Sequence, residues 1–339
     1  MGERVTVIGA GSWGTALAKL LAEKGLDVAL WAHEPEVAEG INRKRRNPLY
    51  LAEVTLPEGI AATDRLEGAV AGASVVVSAV PSHALRRIWQ ALASELPDDA
   101  LVVSCTKGIE AEGLKLMSQV LADCLPSHPA KNRVVLSGPS FAAEVARGLP
   151  TSVVVAGTDA GVTARVQEIF RTHAFLTFTG DDVIGVEVGG AVKNVIAIAA
   201  GVSDGLALGH NTRAAIITRG LYEMIKIGQA LGANPITFAG LSGIGDLVLT
   251  CTANLSRNHT LGFDLGRGRA LSDLRRGMRM AVEGLPTAEA VHRLAAKHGL
   301  NIPICDAMYR ILYEGLEPRM AVEELCSMPL ALELGALLH

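Results

Sequence analysis

The chain has 339 residues, 49% hydrophobic and 19% charged, with 31 Lys and Arg against 35 Asp and Glu for a formal net charge of −4. That length exceeds the ~250–300 residues at which one hydrophobic core stops growing, and the composition lies far from the disordered range. No basic excess points to a nucleic-acid partner; the densest block, Arg43-Lys44-Arg45-Arg46, suits a solvated helix face.

The apolar run at 5–18 is broken by three glycines and Trp13, and its positive region is a single Arg4 beside Glu3, so strand–turn–helix fits it better than a signal peptide. β-branched runs predict strands at 4–9, 27–32, 73–81, 100–106, 133–138, 151–157 and 174–180. Between them, helix-period stretches fall at 14–24, 83–95, 113–124, 140–147 and 160–171. Such alternation means βαβ units, and strands apolar on both faces are those of a sheet covered on both sides. From 183 onward no comparable strand follows; helix-compatible segments occupy 183–202, 211–231, 286–298 and 302–314. The expected fold is therefore α/β: an N-terminal Rossmann-type, doubly wound, mostly parallel sheet over 1–182, then an all-α C-terminal domain over 183–339. No run was expected to reach the ~18 apolar residues of a membrane span. Cys105, Cys124, Cys251, Cys305 and Cys326 are odd in number and scattered, which argues against a disulfide framework or a zinc site and fits a reducing cytoplasm.

The stretch VTVIGAGSWGTALA places Gly9, Gly11 and Gly14 in a G-x-G-x-x-G spacing between a strand and a helix. There, Gly9 permits the turn, Gly11 lets the backbone approach a pyrophosphate, and Gly14 lets helix and strand pack closely, so a dinucleotide cofactor is expected. A carboxylate ending the second strand selects NAD by binding the ribose 2′-OH. The residue nearest that position is His33, and with Arg43–Arg46 on the next helix it leans the pattern toward tolerance of the NADP 2′-phosphate, against which the adjacent Glu34 carboxylate acts. Ligands in open α/β sheets bind beyond the carboxyl ends of the strands, where this chain carries Lys107 and the turn SGPSFA with Gly138 and Ser140. Ser140 is expected to N-cap the following helix.

Lys193 and Asn194 stand alone in the stretch GGAVKNVIAIAAG. On a helix, Gly189, Gly190, Ile196, Ala197 and Ala200 share the lysine's face. That near-bare stripe fits either tight helix packing with a snorkelling lysine or space for a substrate beside an ammonium. A nicotinamide enzyme needs a group that takes the alcohol proton as hydride leaves, and a lysine in apolar surroundings has its pKa lowered toward that task. Further on, GLSGIGDLVLTCT sets Asp246 in a glycine-rich turn, and NLSRNHT clusters Ser256, Arg257 and Asn258, suited either to gripping a phosphate or to capping a helix. In GHNTRAAIITRG, Asn211 and Thr212 are candidate caps, while Arg213 and Arg219 are structural or line a subunit contact.

These motifs, together with VVVSAVPSHALR, SCTKGIE, LSGPSFAAEVARG, GDLVLTCT, SRNHTLG and AVEGLPTA in this order, resemble the bacterial-type NAD(P)-dependent glycerol-3-phosphate dehydrogenases over essentially the whole chain. The resemblance implies interconversion of dihydroxyacetone phosphate and glycerol 3-phosphate, the backbone precursor of phospholipids, with NAD(P)H. It implies Lys193 as general acid/base and Lys107, Gly138, Ser140, Lys193, Asp246, Ser256, Arg257 and Asn258 as substrate contacts. The cofactor set it implies is Ser12, Trp13, His33, Tyr50, Lys107, Ala142, Arg257, Ala281 and Glu283, beside Gly9, Gly11 and Gly14. The alternative is a related hydroxy-acid dehydrogenase with a Lys-Asn pair and a carboxylate substrate. A homodimer is expected from the apolar helical domain and the frequency of such assemblies.

Overall fold

The structure, a computed structural model, describes residues 3–278 and 280–329. Numbered in chain order, the elements are β1 (Arg4–Ile8), α1 (Ser12–Glu23), β2 (Asp27–Trp31), α2 (Pro35–Lys44), β3 (Ile60–Thr63), β4 (Val75–Ser78), α3 (Ser82–Leu92) and β5 (Leu101–Ser104). There follow β6 (Ile109–Glu110), β7 (Lys115–Leu116), α4 (Met117–Cys124), β8 (Arg133–Ser137), α5 (Ala142–Ala146), β9 (Thr151–Ala156), α6 (Ala160–Phe170) and β10 (Phe175–Gly180). The rest is helical: α7 (Val183–Gly205), α8 (Gly209–Ala230), α9 (Asp246–Thr252), α10 (Arg257–Gly266), α11 (Leu271–Gly277), α12 (Gly284–His298), α13 (Pro303–Tyr313) and α14 (Pro318–Ser327).

Eight strands form one sheet in the order β10-β9-β8-β5-β4-β1-β2-β3. All pairs are parallel except β8 with β9, where Val135 faces Ala156 and Ser137 faces Val154. The period-2 alternation of strands sorts the core into two layers. Val5, Val7, Val75, Val77, Leu101 and Val103 pack with α1 and α6 on one face, and Ile8, Val76 and Val102 pack with α3 and α4 on the other. Between β1 and β4 the strand order reverses, which is where an open α/β sheet opens a crevice for ligands.

The chain divides into two compact units. One holds the chain up to Lys107 together with Lys115–Glu187, and the other holds Gly108–Leu114 and the chain from Val188. The division thus falls within α7 rather than at 182/183. Its first turn stays with the sheet because the Glu187 carboxylate accepts from Ser118 N at 2.8 Å and Ser118 Oγ at 2.5 Å, and Val183 and Val186 pack on Val135 and Ala156. Segment 108–114 joins the helical unit, where β6 packs against α12.

One helix, α7, with a mean hydropathy of 1.6, is long and apolar enough by length and composition to cross a membrane, although Glu187, Lys193 and Asp204 interrupt its apolar run. Because 89% of its most apolar window is buried inside the fold, it is a core helix. Two predicted caps also differ. α5 is preceded by Phe141, and the Ser140 hydroxyl donates to Gly138 O at 2.9 Å instead of capping the helix. α8 begins two residues earlier than predicted, so Asn211 and Thr212 lie within its first turn and Thr212 Oγ1 donates back to Leu208 O at 3.0 Å.

Candidate active site

In the first unit the turn between β1 and α1 has the backbone its spacing predicts. Gly9 has φ +107, a left-handed conformation, and a side chain there would sit 2.8 Å from Ala79 O. A Cβ on Gly14 would overlap the Gly9 carbonyl oxygen, whereas one on Gly11 would meet nothing within 4 Å. No side chain caps the N-terminus of α1, so its first-turn amides and helix dipole face open space beside Gly11. An uncapped helix start behind a bare glycine fits a pyrophosphate, and the Trp13 indole Nε1, buried with no partner among the described residues, adds a donor to the same turn.

Ser12, Tyr50 and Glu34 are linked around this turn: Ser12 Oγ donates to Tyr50 O at 3.1 Å and Tyr50 Oη to Glu34 Oε1 at 2.7 Å. Burial, and then that bond, push the Tyr50 hydroxyl up to about 12. Trp13, Tyr50 and Ala142 all pack on the same core layer. The residue that fixes the loop was not singled out from the sequence. Asn47, fully buried, donates to Ala10 O and Thr15 Oγ1, both at 2.8 Å, and accepts from Leu49 N and Tyr50 N at 3.1 Å. An Asn directly before Pro48 in NPLYL is the signal for such a turn. His33 is exposed just past β2, and Glu34 precedes α2. Of the basic block, Arg43 pairs with Glu39 and Arg45 donates to Ile60 O at 3.1 Å, so two of the four have structural partners.

At the ends of neighbouring strands β5 and β8, three predicted residues converge on one atom. Lys107 Nζ donates to Gly138 O at 3.1 Å, and Ser140 Oγ to the same oxygen at 2.9 Å, while Gly138 itself has φ +138. They form a polar cluster at the carboxyl edge of the sheet, where ligands of such sheets bind.

In the second unit, Lys193 is 6% exposed and Asp246 1% exposed, and their side chains form a salt bridge. Lys193 Nζ also donates to Thr250 Oγ1 at 2.9 Å, and Thr250 Oγ1 donates to Asp246 O at 2.6 Å. The amine is therefore neither snorkelling nor in purely apolar surroundings, which corrects the basis of the reading from the sequence. A buried ammonium needs such compensation, because desolvating it alone costs several kcal/mol. The glycine stripe explains the approach: a Cβ on Gly189 would overlap Ser242 O, so the turn 241–245 lies directly on α7 and delivers Asp246 to the lysine. At Gly189, close packing accounts for the absence of a side chain. Thr250 escaped the sequence reading, although its spacing four residues from Asp246 on α9 puts both on one helix face.

Ser256, Arg257 and Asn258 open α10. Ser256 is its N-cap, accepting from His259 N at 3.2 Å, so the capping reading holds for this residue. Arg257 is exposed, with Nη1 donating to Ala281 O at 2.6 Å; desolvation lowers its pKa while the Glu283 charge opposes the shift. Asn258 is buried and bridges two helices: Nδ2 donates to Asn194 Oδ1 at 2.9 Å, and Oδ1 accepts from Gly284 N at 3.0 Å. Ala281 and Glu283 thus lie with the Ser256–Asn258 turn, and Asn194 ties that turn to the helix of Lys193. The result is a guanidinium beside a helix N-terminus, an anion-friendly arrangement on the same unit as a buried lysine.

A glycine-rich turn on a doubly wound sheet, followed by a helical unit with a buried Lys–Asp pair, defines a two-domain dinucleotide-dependent oxidoreductase. Comparison with known proteins narrows this. The profile of the NAD-dependent glycerol-3-phosphate dehydrogenase N-terminus matches residues 4–163, and that of the C-terminus matches residues 182–323. A glycerol-3-phosphate dehydrogenase (NAD(P)+) of Geobacter metallireducens is 53% identical over 325 residues, covering 96% of this chain and 97% of its own length. The crystal structure of a glycerol-3-phosphate dehydrogenase from Coxiella burnetii superposes with a TM-score of 0.92 at 39% identity, covering 96% of this chain and 99% of that one. The chain belongs to the NAD-dependent glycerol-3-phosphate dehydrogenase family, NAD(P)-dependent oxidoreductases acting on a CH–OH group. A ketopantoate reductase from Ralstonia eutropha, at 18% identity and a TM-score of 0.62, shares the fold alone, and nothing favours the carboxylate-substrate alternative.

Proposed function

We propose that this chain interconverts dihydroxyacetone phosphate and sn-glycerol 3-phosphate in the cytoplasm, as a homodimer, and supplies the glycerol phosphate of phospholipids. The observation that carries the reading is the buried Lys193–Asp246 pair with Thr250, on a helix joined through Asn194 and Asn258 to the Arg257 turn. The reduced nicotinamide, when bound, supplies the hydride. Gly9, Gly11, Ser12, Trp13 and Gly14 hold the dinucleotide with His33, Tyr50 and Ala142, and Lys107, Arg257, Ala281 and Glu283 complete the cofactor contacts. Tolerance of the 2′-phosphate is supported by the exposed His33 and by Glu34, whose carboxylate is engaged by Tyr50.

Lys193 Nζ gives a proton to the substrate oxygen as the ketone becomes an alcohol, and takes it back in the reverse direction. Asp246 compensates the ammonium form. Thr250, whose own proton is committed to Asp246 O, presents a lone pair to Nζ and so fixes the direction of the amine. Arg257, with Ser256 and Asn258, grips the phosphate, and Lys107, Gly138 and Ser140 contact the substrate. A spectrophotometric assay with dihydroxyacetone phosphate tests the proposal: oxidation of NADH or NADPH is expected. Failure to oxidise either would overturn it.

A further inference from the structure

The first turn of α10 is tied to α7 by a side-chain cluster that the chemistry itself does not use. His259, two residues after Arg257, sets Nε2 2.8 Å from Asp204 Oδ2. Arg213 Nη1 donates to the same oxygen at 2.9 Å, and Arg213 Nη2 lies 2.9 Å from His210 Nδ1. Asp204 comes from α7, Arg213 and His210 from α8, and His259 from α10, so one carboxylate oxygen gathers three helices. Asp204 is the penultimate residue of α7, where the helix dipole disfavours a carboxylate; two donors on one oxygen offset that and fix its orientation.

The same histidine closes the N-cap of its own helix through the bond from His259 N to Ser256 Oγ. Backbone contact reinforces the junction, since a Cβ on Gly201 would overlap His259 O. Arg257 and Asn258 lie between the two points at which His259 and Ser256 are held. A displacement of this turn along α7 has to break the Asp204–His259 bond.

We propose that Asp204 and His259, with Arg213 bracing the carboxylate, are positioning residues that hold the Ser256–Arg257–Asn258 turn in register for the substrate phosphate. This rests on reading that turn as the phosphate grip. Small misplacements of a binding group are costly, and 1 Å can cost on the order of a hundredfold.

The test is steady-state kinetics on the full chain for His259→Ala, Asp204→Asn, His259→Gln, Arg257→Ala and the double variant R257A/H259A. His259→Ala and Asp204→Asn are expected to raise KM for dihydroxyacetone phosphate roughly ten- to a hundredfold, with kcat little changed and the NAD(P)H KM raised far less, because Arg257 is one of many cofactor contacts. His259→Gln keeps an N–H for Asp204 and should recover most of the loss. In the Arg257→Ala background, His259→Ala should add almost nothing, because the residue it positions is gone. A merely structural role would lower thermal stability and impair all kinetic constants together. An unchanged substrate KM in His259→Ala and Asp204→Asn, or full additivity with Arg257→Ala, overturns the proposal. An unchanged KM in Arg257→Ala alone would instead remove the grip reading beneath it.

Discussion

An ammonium with 6% of its surface exposed needs a counter-charge, and for Lys193 it comes from 53 residues downstream. Helical periodicity lists only the neighbours of a residue on its own helix. The sequence therefore marks Lys193 as an oddity among glycine and alanine, and it separately marks Asp246 in a glycine turn, but it gives no reason to join them. The joining depends on Gly189 meeting Ser242 backbone, a contact no spacing encodes. Lys193→Ala should lower kcat by about 10²–10⁴ while leaving NAD(P)H affinity, measured by fluorescence titration, within a few-fold. Substantial remaining turnover would remove the lysine from the mechanism. Asp246→Asn strands a buried ammonium, as Lys193→Ala strands the Asp246 carboxylate, so each single variant should lose about 3–5 kcal/mol in denaturant unfolding. The Lys193→Ala, Asp246→Asn double variant should regain part of that loss, since the stranded charge is then absent.

At the scale of elements, the periodic signals were legible and the irregular ones were not. The seven predicted strands correspond to β1, β2, β4, β5, β8, β9 and β10; β4, β5 and β8 are buried on both faces, whereas β10, at the sheet edge, leaves Leu176 and Phe178 exposed on one face. β3 was missed because its IAAT is short and alanine-rich, and it pairs only with β2 at the sheet edge. α9 and α10 are not among the predicted helices: the sequence marks a glycine-rich turn at Asp246 before an apolar run, and a Ser256–Asn258 cluster suited to gripping a phosphate or capping a helix, while the glycines within α10 are what bring it onto α7. A Cβ on Gly262 would overlap Ile198 O and lie 2.9 Å from Val202 N; Gly201, Gly205 and Gly266 are in similar backbone contact across the same pair. Gly262→Ala should therefore force the helices apart at a cost of about 1–3 kcal/mol in thermal unfolding, and should weaken substrate binding because α10 carries Arg257. Gly277→Ala is the matching control: its Cβ meets nothing within 4 Å at the exposed end of α11, and the change should be neutral or slightly stabilising. Equal effects of the two substitutions would refute the close-packing account.

For the whole molecule, the sequence shows a sheet half and a helical half, but their border depends on a buried carboxylate. Glu187 ties the first turn of α7 to Ser118 in the first unit, while in the second unit Glu223 on α8 accepts from Ile304 N at 2.8 Å and Cys305 N at 2.9 Å. Each side chain thus caps a helix, α4 or α13, from a distance. Burial pushes both carboxyls up from 4.5 to about 7, with the hydrogen bonds to Ser118, and to Ile304 and Cys305, opposing the rise. A carboxyl whose pKa is higher folded than unfolded binds more protons in the native state between those two values, so stability falls as pH rises from 4.5 to about 7 and then levels. For Glu223 the full span is of order 3 kcal/mol. Glu223→Gln removes the titrating group while keeping one acceptor for the amides of α13. Melting temperatures of the wild-type chain and the variant, measured at pH 5, 6, 7 and 8, should therefore diverge in one direction. The wild type should lose ground to the variant by several degrees from pH 5 to pH 7 and hold a constant difference above that. A difference that stays constant across the whole range, or that moves in favour of the wild type as pH rises, would mean that Glu223 is ionised in the folded protein throughout and that its two amide bonds outweigh its burial.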